Sequence, residues 1–344
     1  MNEIPFDEMI YTKKVRVHAL QPGDMLTHDV YMKNGLLVAK AGMALTCFQI
    51  EKLKKIDEKI VTLDLRQVFS QGVRLSKKLF QDAASGKPLD RDEINALINP
   101  FKLEVYREKN IVSLLQHLKN TDDYTFQHTV NIGVLAMVIG QWLGKDGEAQ
   151  HKLLLAGTLH DIGKCKIPHH ILNKPGPLTG EEFTVMKQHT VCGYEILDKS
   201  GGFDEEVKQA VLQHHERIDG NGYPGGLKGE EISENARIVA VADIYHAMTT
   251  TRVYKQKANP YSVLEHLYRN ISSLDPQIAL LFFEKMLTQL QTHRVSLSNG
   301  LEGDIVYLDR DCISKPLVRV DDNTFIDLKK TDVTIEDILY VEQL

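Results

Sequence analysis

The stretch from about residue 91 to residue 293 constrains the fold most, because it reads almost entirely as helix. Val130, Val134, Met137 and Val138 recur at the spacing of one face of a helix. Helices on this scale have to bury their apolar faces against one another. The sequence therefore predicts a mainly α protein with a helical bundle at its centre.

Several residues in this stretch are typical of helix starts. Thr179 and Glu182 have the spacing of a capping box. Ser233 can cap the helix that follows it, and Asp275 places a capping side chain directly before Pro276. These signals divide the central stretch into separate helices.

The beginning of the chain has a mixed pattern. Strands are expected at 14–18 and 59–65, because apolar and polar residues alternate there. Asn34-Gly35 is a strong hairpin turn signal between 29–32 and 36–39, and Thr46 can cap a short helix. The segment 83–88 is rich in small residues, glycine and proline, which predicts a linker.

The end of the chain again changes to short alternating segments. We expect strands at 304–308, 317–320 and 324–328. The predicted domains are a small α/β N-terminal domain (1–90), a helical domain (91–294) and a short β-rich C-terminal extension (295–344).

Composition narrows the functional class. The formal net charge of the 344 residues is −6, so no basic field would attract a nucleic acid polymer. No apolar run approaches the roughly 20 residues that cross a bilayer, so membrane insertion is not expected. The four cysteines form no CxxC pair, which favours reduced thiols and a cytoplasmic protein.

Histidines and aspartates near helix ends or polar interruptions carry most of the chemical information. They are His128, His160, Asp161, His189, His214, His215 and Asp243. Imidazole and carboxylate groups bind metals such as manganese, iron or zinc, and an aspartate can bridge two ions with its two oxygens. A single histidine is more often structural, which is our interpretation of His18, His117, His151, His266 and His293.

Two bound metals would suit a phosphodiester substrate, because they clamp its oxygens and make a water more acidic. Lys164 follows Asp161 by three residues and can reach a phosphate oxygen, although a solvated surface lysine is the alternative. The glycine-rich segment 219–226 cannot continue a helix. It places Tyr223 on a tight turn, where the ring could stack on a base; a simple helix connection is the alternative.

These motifs resemble the HD-GYP family, a branch of the HD superfamily of metal-dependent phosphohydrolases. The matching segments are 160–168, 214–227, 241–243 and 251–255, and Gly222-Tyr223-Pro224 is the tripeptide that names the family. The resemblance covers roughly residues 100–290. It implies an HD-superfamily helical bundle that hydrolyses cyclic di-GMP to pGpG or GMP through a two-metal activated water.

The resemblance also implies roles for individual residues. One metal would be held by His128, His160, Asp161 and Asp243, and the second by His189, His214 and His215, with Asp161 bridging. Asp161 and Lys164 would act in catalysis. The substrate would meet Lys164, Gly222, Tyr223, Pro224, Arg252 and Lys255. Iron or manganese is expected first, with zinc or nickel as alternatives.

Two positions depart from the family pattern. Tyr124 stands where some members carry a glutamate that adds a third metal, so two metals are expected. His246 stands where an aspartate is common, and it shares a helix face with Asp243. It could therefore lie beside the metal ligands or near the substrate.

Two alternative functions stay open at this point. The chain could be a cyclic di-GMP sensor or interaction module with little hydrolysis, or an enzyme for another nucleotide or cyclic dinucleotide. GGDEF-domain or other signalling proteins are candidate partners of the Gly-Tyr-Pro loop, and homo-oligomers are a further candidate. The first 90 residues resemble the small domain often found ahead of HD-GYP cores.

Overall fold

The computed structural model describes most of the chain. The described residues are 12–32, 36–55, 60–64, 66–107, 111–112, 115, 124–249, 260–269, 271–291 and 293–339. Across these residues helix predominates, which confirms the prediction of a mainly α fold with a small α/β start and a β-rich end. Within the same residues, no helix combines the length and apolar character needed to cross a membrane.

The N-terminal part contains two small antiparallel sheets and one short helix. Strand β1 (Thr12–Arg16) pairs with β4 (Ile60–Asp64), and β2 (Val30–Tyr31) pairs with β3 (Leu37–Ala39). Helix α1 (Cys47–Leu53) lies between β3 and β4. The strand expected at 14–18 ends earlier, because a 3₁₀ turn begins at residue 17.

Two sequence signals in this part have different outcomes. Thr46 caps α1 through a capping box, in which it accepts from the Gln49 amide and Gln49 binds back. The Asn34-Gly35 turn lies outside the described residues. Leu26 and Leu53 are fully buried in an apolar cluster that belongs to residues 15–53 alone.

The helices of the central part follow one another with short connections. They are α2 (Arg66–Ser85), α3 (Arg91–Arg107), α4 (Tyr124–Trp142), α5 (Gly147–Leu159), α6 (His169–Leu172), α7 (Gly180–Ser200), α8 (Glu205–Gln213), α9 (Glu234–Thr249), α10 (Pro260–Arg269) and α11 (Pro276–Leu290). A 3₁₀ turn at Ile162–Lys166 links α5 to α6. The predicted capping signals are confirmed at Thr179, Ser233 and Asp275.

Helix α4 forms the centre of the bundle. All residues from 128 to 140 are buried, including those of the predicted apolar face. Helix α5 crosses α4 at Gly133 and Gly157, where a Cβ on Gly157 would lie 2.7 Å from the Gly133 Cα. This close crossing brings the carboxyl end of α5 next to the amino-terminal half of α4.

The predicted linker at 83–88 is wrong in its first three residues. Helix α2 continues to Ser85, and Ala83 is buried in the apolar core of the helical bundle. The Lys166 ammonium also donates to the Ala84 carbonyl at 2.8 Å. Alanine is a good helix former, so the run of small residues was compatible with a helix once it had a partner to pack on.

The C-terminal part forms one antiparallel sheet in the strand order β8-β7-β6-β5-β9. The strands are β5 (Arg294–Leu297), β6 (Glu302–Tyr307), β7 (Leu317–Arg319), β8 (Phe325–Asp327) and β9 (Ile335–Leu339). The three predicted strands correspond to β6, β7 and β8, whereas β5 and β9 were not predicted. Buried residues of this sheet share the core of the helical bundle. The domain limits at 90 and 294 stay a prediction.

Candidate metal centre

Five helical elements bring the seven predicted ligands together. His128 lies on α4, His160 and Asp161 follow the last turn of α5, His189 lies on α7, His214 and His215 follow α8, and Asp243 lies on α9. Their candidate ligand atoms form two groups, and within each group all atoms lie within 4.8 Å of one another. Residues far apart in the chain thus face one interior space.

A glycine explains how the end of α5 reaches α7. Gly163 follows Asp161 in the 3₁₀ turn, and a Cβ at this position would lie 1.9 Å from the His189 carbonyl oxygen. It would also lie 2.4 Å from the Gly193 nitrogen. Since no side chain fits there, glycine allows the turn to lie directly on α7 and places Asp161 beside His189.

The first group contains His128, His160 and Asp243. The Nε2 atoms of the two histidines lie 3.2 Å apart, and each lies 4.0 Å from the Asp243 Oδ1. Ligand atoms about 2.1 Å from a common ion are roughly 3.0 Å apart in adjacent positions and roughly 4.2 Å apart in opposite positions, so this spacing is compatible with one metal site.

The second group contains His189, His214, His215 and Asp161. The Nε2 atoms of His189 and His214 lie 3.4 Å apart. The His214 and His215 rings are neighbours, with centroids 4.2 Å apart. All but His215 are buried.

Asp161 lies between the two groups and faces both. Its Oδ2 lies 3.2 Å from the Nε2 atoms of His128 and His160. Its Oδ1 lies 3.4 Å from the His189 Nε2 and 4.0 Å from the His214 Nε2. Oδ1 is buried without a hydrogen-bond partner. A buried carboxylate oxygen in that state is costly unless a cation binds it, so the residues present fit a metal centre.

The electrostatics of Asp161 and of four histidines favour the protonation states that metal ligands need. His160 differs: burial lowers its pKa, but Asp161 and Asp243 outweigh burial and raise that pKa. Burial lowers the pKa of His128 and His189, lowers that of His214 strongly, and lowers that of His215 to about 3. Burial alone would raise the pKa of Asp161, but His160 and Lys164 outweigh it and hold that pKa well below its usual value. These four imidazoles are therefore neutral and the carboxylate is ionised near neutral pH.

Three of the histidines are also fixed in one tautomer. The Nδ1 atoms of His160, His189 and His214 lie 2.7–2.8 Å from backbone carbonyls three residues earlier in the chain. A carbonyl only accepts, so each Nδ1 carries a proton, and in the neutral form of each histidine the lone pair is on Nε2. This is the usual arrangement for histidines that bind metal through Nε2.

Lys164 lies at the edge of the two groups. Its ammonium makes a close contact with the Asp161 Oδ2, and its side chain is 32% exposed. It is therefore partly open to solvent beside the Asp161 carboxylate. A phosphate that bound beside Asp161 would be within reach of this charge.

The Gly-Tyr-Pro loop is held over the second group by a residue that sequence reasoning did not single out. Buried Glu216 accepts from the backbone amides of Gly225 (2.6 Å) and Leu227 (3.1 Å). The Tyr223 amide donates to the His215 carbonyl at 3.2 Å. Glu216 follows the two ligands directly, and that adjacency to a glycine-rich loop was the signal available in the sequence.

Tyr223 and Phe183 extend from the second group toward solvent, and we call their two rings the aromatic wall. The Tyr223 ring stacks on His215 with centroids 4.7 Å apart, and it meets the ring of Phe183 edge-on at 6.0 Å. Phe183 is 46% exposed. The Lys187 ammonium lies 5.4 Å from the Phe183 centroid and 5.9 Å from that of Tyr223. Phe183 and Lys187 were not predicted, because a phenylalanine and a lysine on a helix have no distinctive sequence pattern.

Some predicted residues are not placed at the site. Arg252 and Lys255 lie outside the described residues. Tyr124 begins α4, one turn before His128, and its side chain is not among those described. Of the histidines interpreted as structural, His151, His266 and His293 belong to neither ligand group.

This chain is similar to one protein family and to several characterised proteins. The model of the HD domain family matches residues 111–278. A cyclic di-GMP phosphodiesterase of Pseudomonas aeruginosa is 34% identical over 242 residues, which are 70% of this chain and 58% of that protein. A 3′3′-cGAMP-specific phosphodiesterase of Vibrio cholerae is 34% identical over 185 residues, 52% of this chain and 43% of that protein.

One solved structure supports the fold. An HDG"Y"P protein from Bdellovibrio bacteriovorus superposes with a TM-score of 0.50 at 18% identity, covering 80% of this chain and 99% of that one. This likeness concerns the fold alone. The chain spans only about half of the length of the two curated relatives.

Proposed function

We propose, from the premise that this chain belongs to the HD domain family, that it is a metal-dependent phosphodiesterase acting on cyclic di-GMP. The observation that carries the proposal is the placement of Asp161. Its two oxygens face two separate groups of histidines, so one carboxylate can serve two metal ions. Two ions that share one carboxylate would suit the in-line cleavage of a phosphodiester.

The seven ligands would hold two divalent ions, with iron or manganese expected first. Bound there, such ions supply positive charge at the phosphate and make a water more acidic. The chain contributes the rest. The imidazoles of His189 and His214 are neutral and fixed in direction. Asp161 stays ionised, and the Lys164 ammonium lies beside it, where it can also donate to a phosphate oxygen.

A nucleotide substrate is favoured by the aromatic wall beside the second group. Tyr223 and the exposed ring of Phe183 offer faces on which a base can stack, with Lys187 beside both. Stacking of a base on an aromatic ring contributes about 1–3 kcal/mol. A lysine can also donate to the O6 and N7 acceptors of guanine. Both features suit a guanine-containing cyclic dinucleotide.

The names of two relatives indicate two chemically similar substrates. The Pseudomonas aeruginosa protein is named for cyclic di-GMP and the Vibrio cholerae protein for 3′3′-cGAMP. We therefore expect cyclic di-GMP to be hydrolysed best, with 3′3′-cGAMP as the second candidate because it also contains a guanine.

The test is product formation by the manganese- or iron-loaded protein, followed by chromatography for each dinucleotide. Wild type should convert cyclic di-GMP to pGpG or GMP, and His160→Ala should form no product. Phe183→Ala should raise KM about tenfold, the loss of about 1.4 kcal/mol of stacking. Val185→Ala is the matched control, since Val185 is exposed on the same helix outside the aromatic wall.

The outcomes separate the alternatives. Binding of cyclic di-GMP without product, at confirmed occupancy of both metal sites, would replace the enzyme by a sensor or interaction module. Turnover of 3′3′-cGAMP alone would keep the enzyme and change its substrate. A Phe183→Ala protein with wild-type KM would exclude the aromatic wall as the base site.

A further inference from the structure

One histidine of the first group, His128, has a second buried histidine beside it. The His128 Nε2 points at the group, at 3.2 Å from both the His160 Nε2 and the Asp161 Oδ2. Its Nδ1 lies 3.1 Å from the Nδ1 of buried His246. Two imidazole nitrogens at hydrogen-bond distance share one proton, so the state of His246 decides which nitrogen of His128 is free.

The direction of that hydrogen bond determines whether His128 can bind a metal. A neutral imidazole carries one proton, and metal binding through Nε2 requires that the proton sit on Nδ1. His128 must then donate from Nδ1, and the His246 Nδ1 must accept. Neutral His246 consequently carries its own proton on Nε2, where it needs an acceptor.

Asn131 provides that acceptor. As placed, its Nδ2 lies 3.0 Å from the His246 Nε2, and its Oδ1 is buried without a hydrogen-bond partner, so the amide has to turn to act as the acceptor. With the Nδ2 toward His246, Asn131 donates to the His246 Nε2, and His246 then donates from its Nδ1 to the His128 Nδ1. This order leaves the proton of His128 on Nε2. A half-turn of the amide brings Oδ1 to the His246 Nε2 and gives this oxygen its partner.

The two helices are well suited to hold such a chain of hydrogen bonds. His128 and Asn131 are three residues apart on α4, and Asp243 and His246 are three residues apart on α9. Each pair therefore lies on one face of its helix, and the two faces oppose each other. A carboxylate at position 246 would accept from His128 unaided, whereas a histidine needs a further acceptor.

We propose that His246 and Asn131 are positioning residues that hold His128 in its metal-binding tautomer, through the chain His128–His246–Asn131. The proposal rests on the metal centre of the proposed function. It extends that function by assigning a role to two residues that bind neither metal nor substrate.

The test measures metal affinity, which does not depend on turnover. Manganese or zinc is titrated against a chromophoric chelator with wild type, His246→Phe and Asn131→Leu. Loss of an outer hydrogen-bond partner of a metal ligand costs about 10–100-fold in affinity, and we expect this loss in the first group for both variants. The ion of the second group should bind as in wild type and reports that the protein is folded.

A rescue distinguishes positioning from packing. In His246→Gln, the Gln amide oxygen can accept from His128 without help from a third residue. The double variant His246→Gln/Asn131→Leu should therefore bind metal as tightly as His246→Gln alone. Wild-type affinity in His246→Phe would overturn the proposal. The proposal would also be overturned if Asn131→Leu lowered the metal affinity equally in wild type and in His246→Gln. Asn131 would then act through packing.

The outcomes for the two proposals are separable. A wild-type protein that binds two ions and hydrolyses no cyclic dinucleotide would end the proposed function and leave the metal-affinity comparison intact. Equal metal affinity in wild type, His246→Phe and Asn131→Leu would end this inference and leave the activity assay intact.

Discussion

At the scale of single residues, Asp161 is the residue on which the proposed metal centre depends. It is buried, its two oxygens face different histidine groups, and one of them has no hydrogen-bond partner. Asp243 is different, because the ion-pair contacts of its carboxylate among the described residues are with His128 and His160, both of the first group. The two carboxylates should therefore differ in what their loss removes.

Substitution of each aspartate by asparagine tests this difference. Asp161→Asn should lower the metal content from about two ions per chain to less than about one, because both groups lose a charged ligand. Asp243→Asn should keep the ion of the second group. Metal content is measured by mass spectrometry after dialysis.

The control for these variants is Asp198→Asn, which changes an exposed ion pair with Lys208 and should leave the metal content unchanged. Equal metal loss in Asp161→Asn and Asp243→Asn would contradict a bridging role for Asp161.

At the scale of secondary-structure elements, close helix contacts set the position of the ligands. Gly163 and Gly193 bring the turn after α5 onto α7, and Gly133 and Gly157 bring α5 onto α4. The sequence predicted the helices and several of their caps. It did not predict which glycines lie at crossings, because a glycine at a crossing and a glycine on a surface look alike in a single sequence.

The crossing of α4 and α5 can be tested with two substitutions on one helix. In Gly157→Ala, the new Cβ would lie 2.7 Å from the Ile132 carbonyl oxygen and the Gly133 Cα, which are backbone atoms. We expect a loss of about 1–3 kcal/mol in the free energy of unfolding, measured in urea. The metal affinity should fall with it, since His160 follows this helix.

Gly147→Ala is the matched control on α5, because a Cβ there meets nothing within 4 Å. Alanine in a helix should leave stability unchanged or raise it by about 0.5–1 kcal/mol. A Gly157→Ala protein as stable as Gly147→Ala would show that the crossing can widen without cost.

At the scale of the whole molecule, the proposed metal centre connects α4, α5, α7, α8 and α9, each of which contributes a candidate ligand or leads into one. The apolar cluster of residues 15–53 is separate from this core and contains none of the ligands. Metal binding should therefore stabilise the helical bundle and leave the N-terminal cluster unaffected.

Removal of metal by a chelator tests this separation in thermal unfolding. Ions at a thousand times their Kd stabilise a folded protein by about 4 kcal/mol, so the chelator should lower the unfolding temperature of the helical bundle. Leu53→Ala empties a fully buried position of the N-terminal cluster and should cost that cluster about 2–5 kcal/mol.

The effects of chelator treatment and of Leu53→Ala on the unfolding temperature should be independent of each other. In Leu53→Ala, the chelator should shift the bundle transition by the same amount as in wild type, and the metal content should be unchanged. A reduced metal affinity in Leu53→Ala would mean that the N-terminal cluster and the metal centre are coupled.

The sequence by itself determined the candidate ligands, because imidazole and carboxylate side chains in motifs such as 160–164 have a specific chemistry. Their division between two metal sites was implied by the family resemblance. The sequence also determined the helices and the Gly-Tyr-Pro loop, which follow from local spacing and backbone preferences. The tertiary structure alone decided that Glu216 holds that loop, that Phe183 extends Tyr223, and that His246 meets His128 and Asn131. Those contacts join residues from separate elements, and their directions depend on how the helices cross.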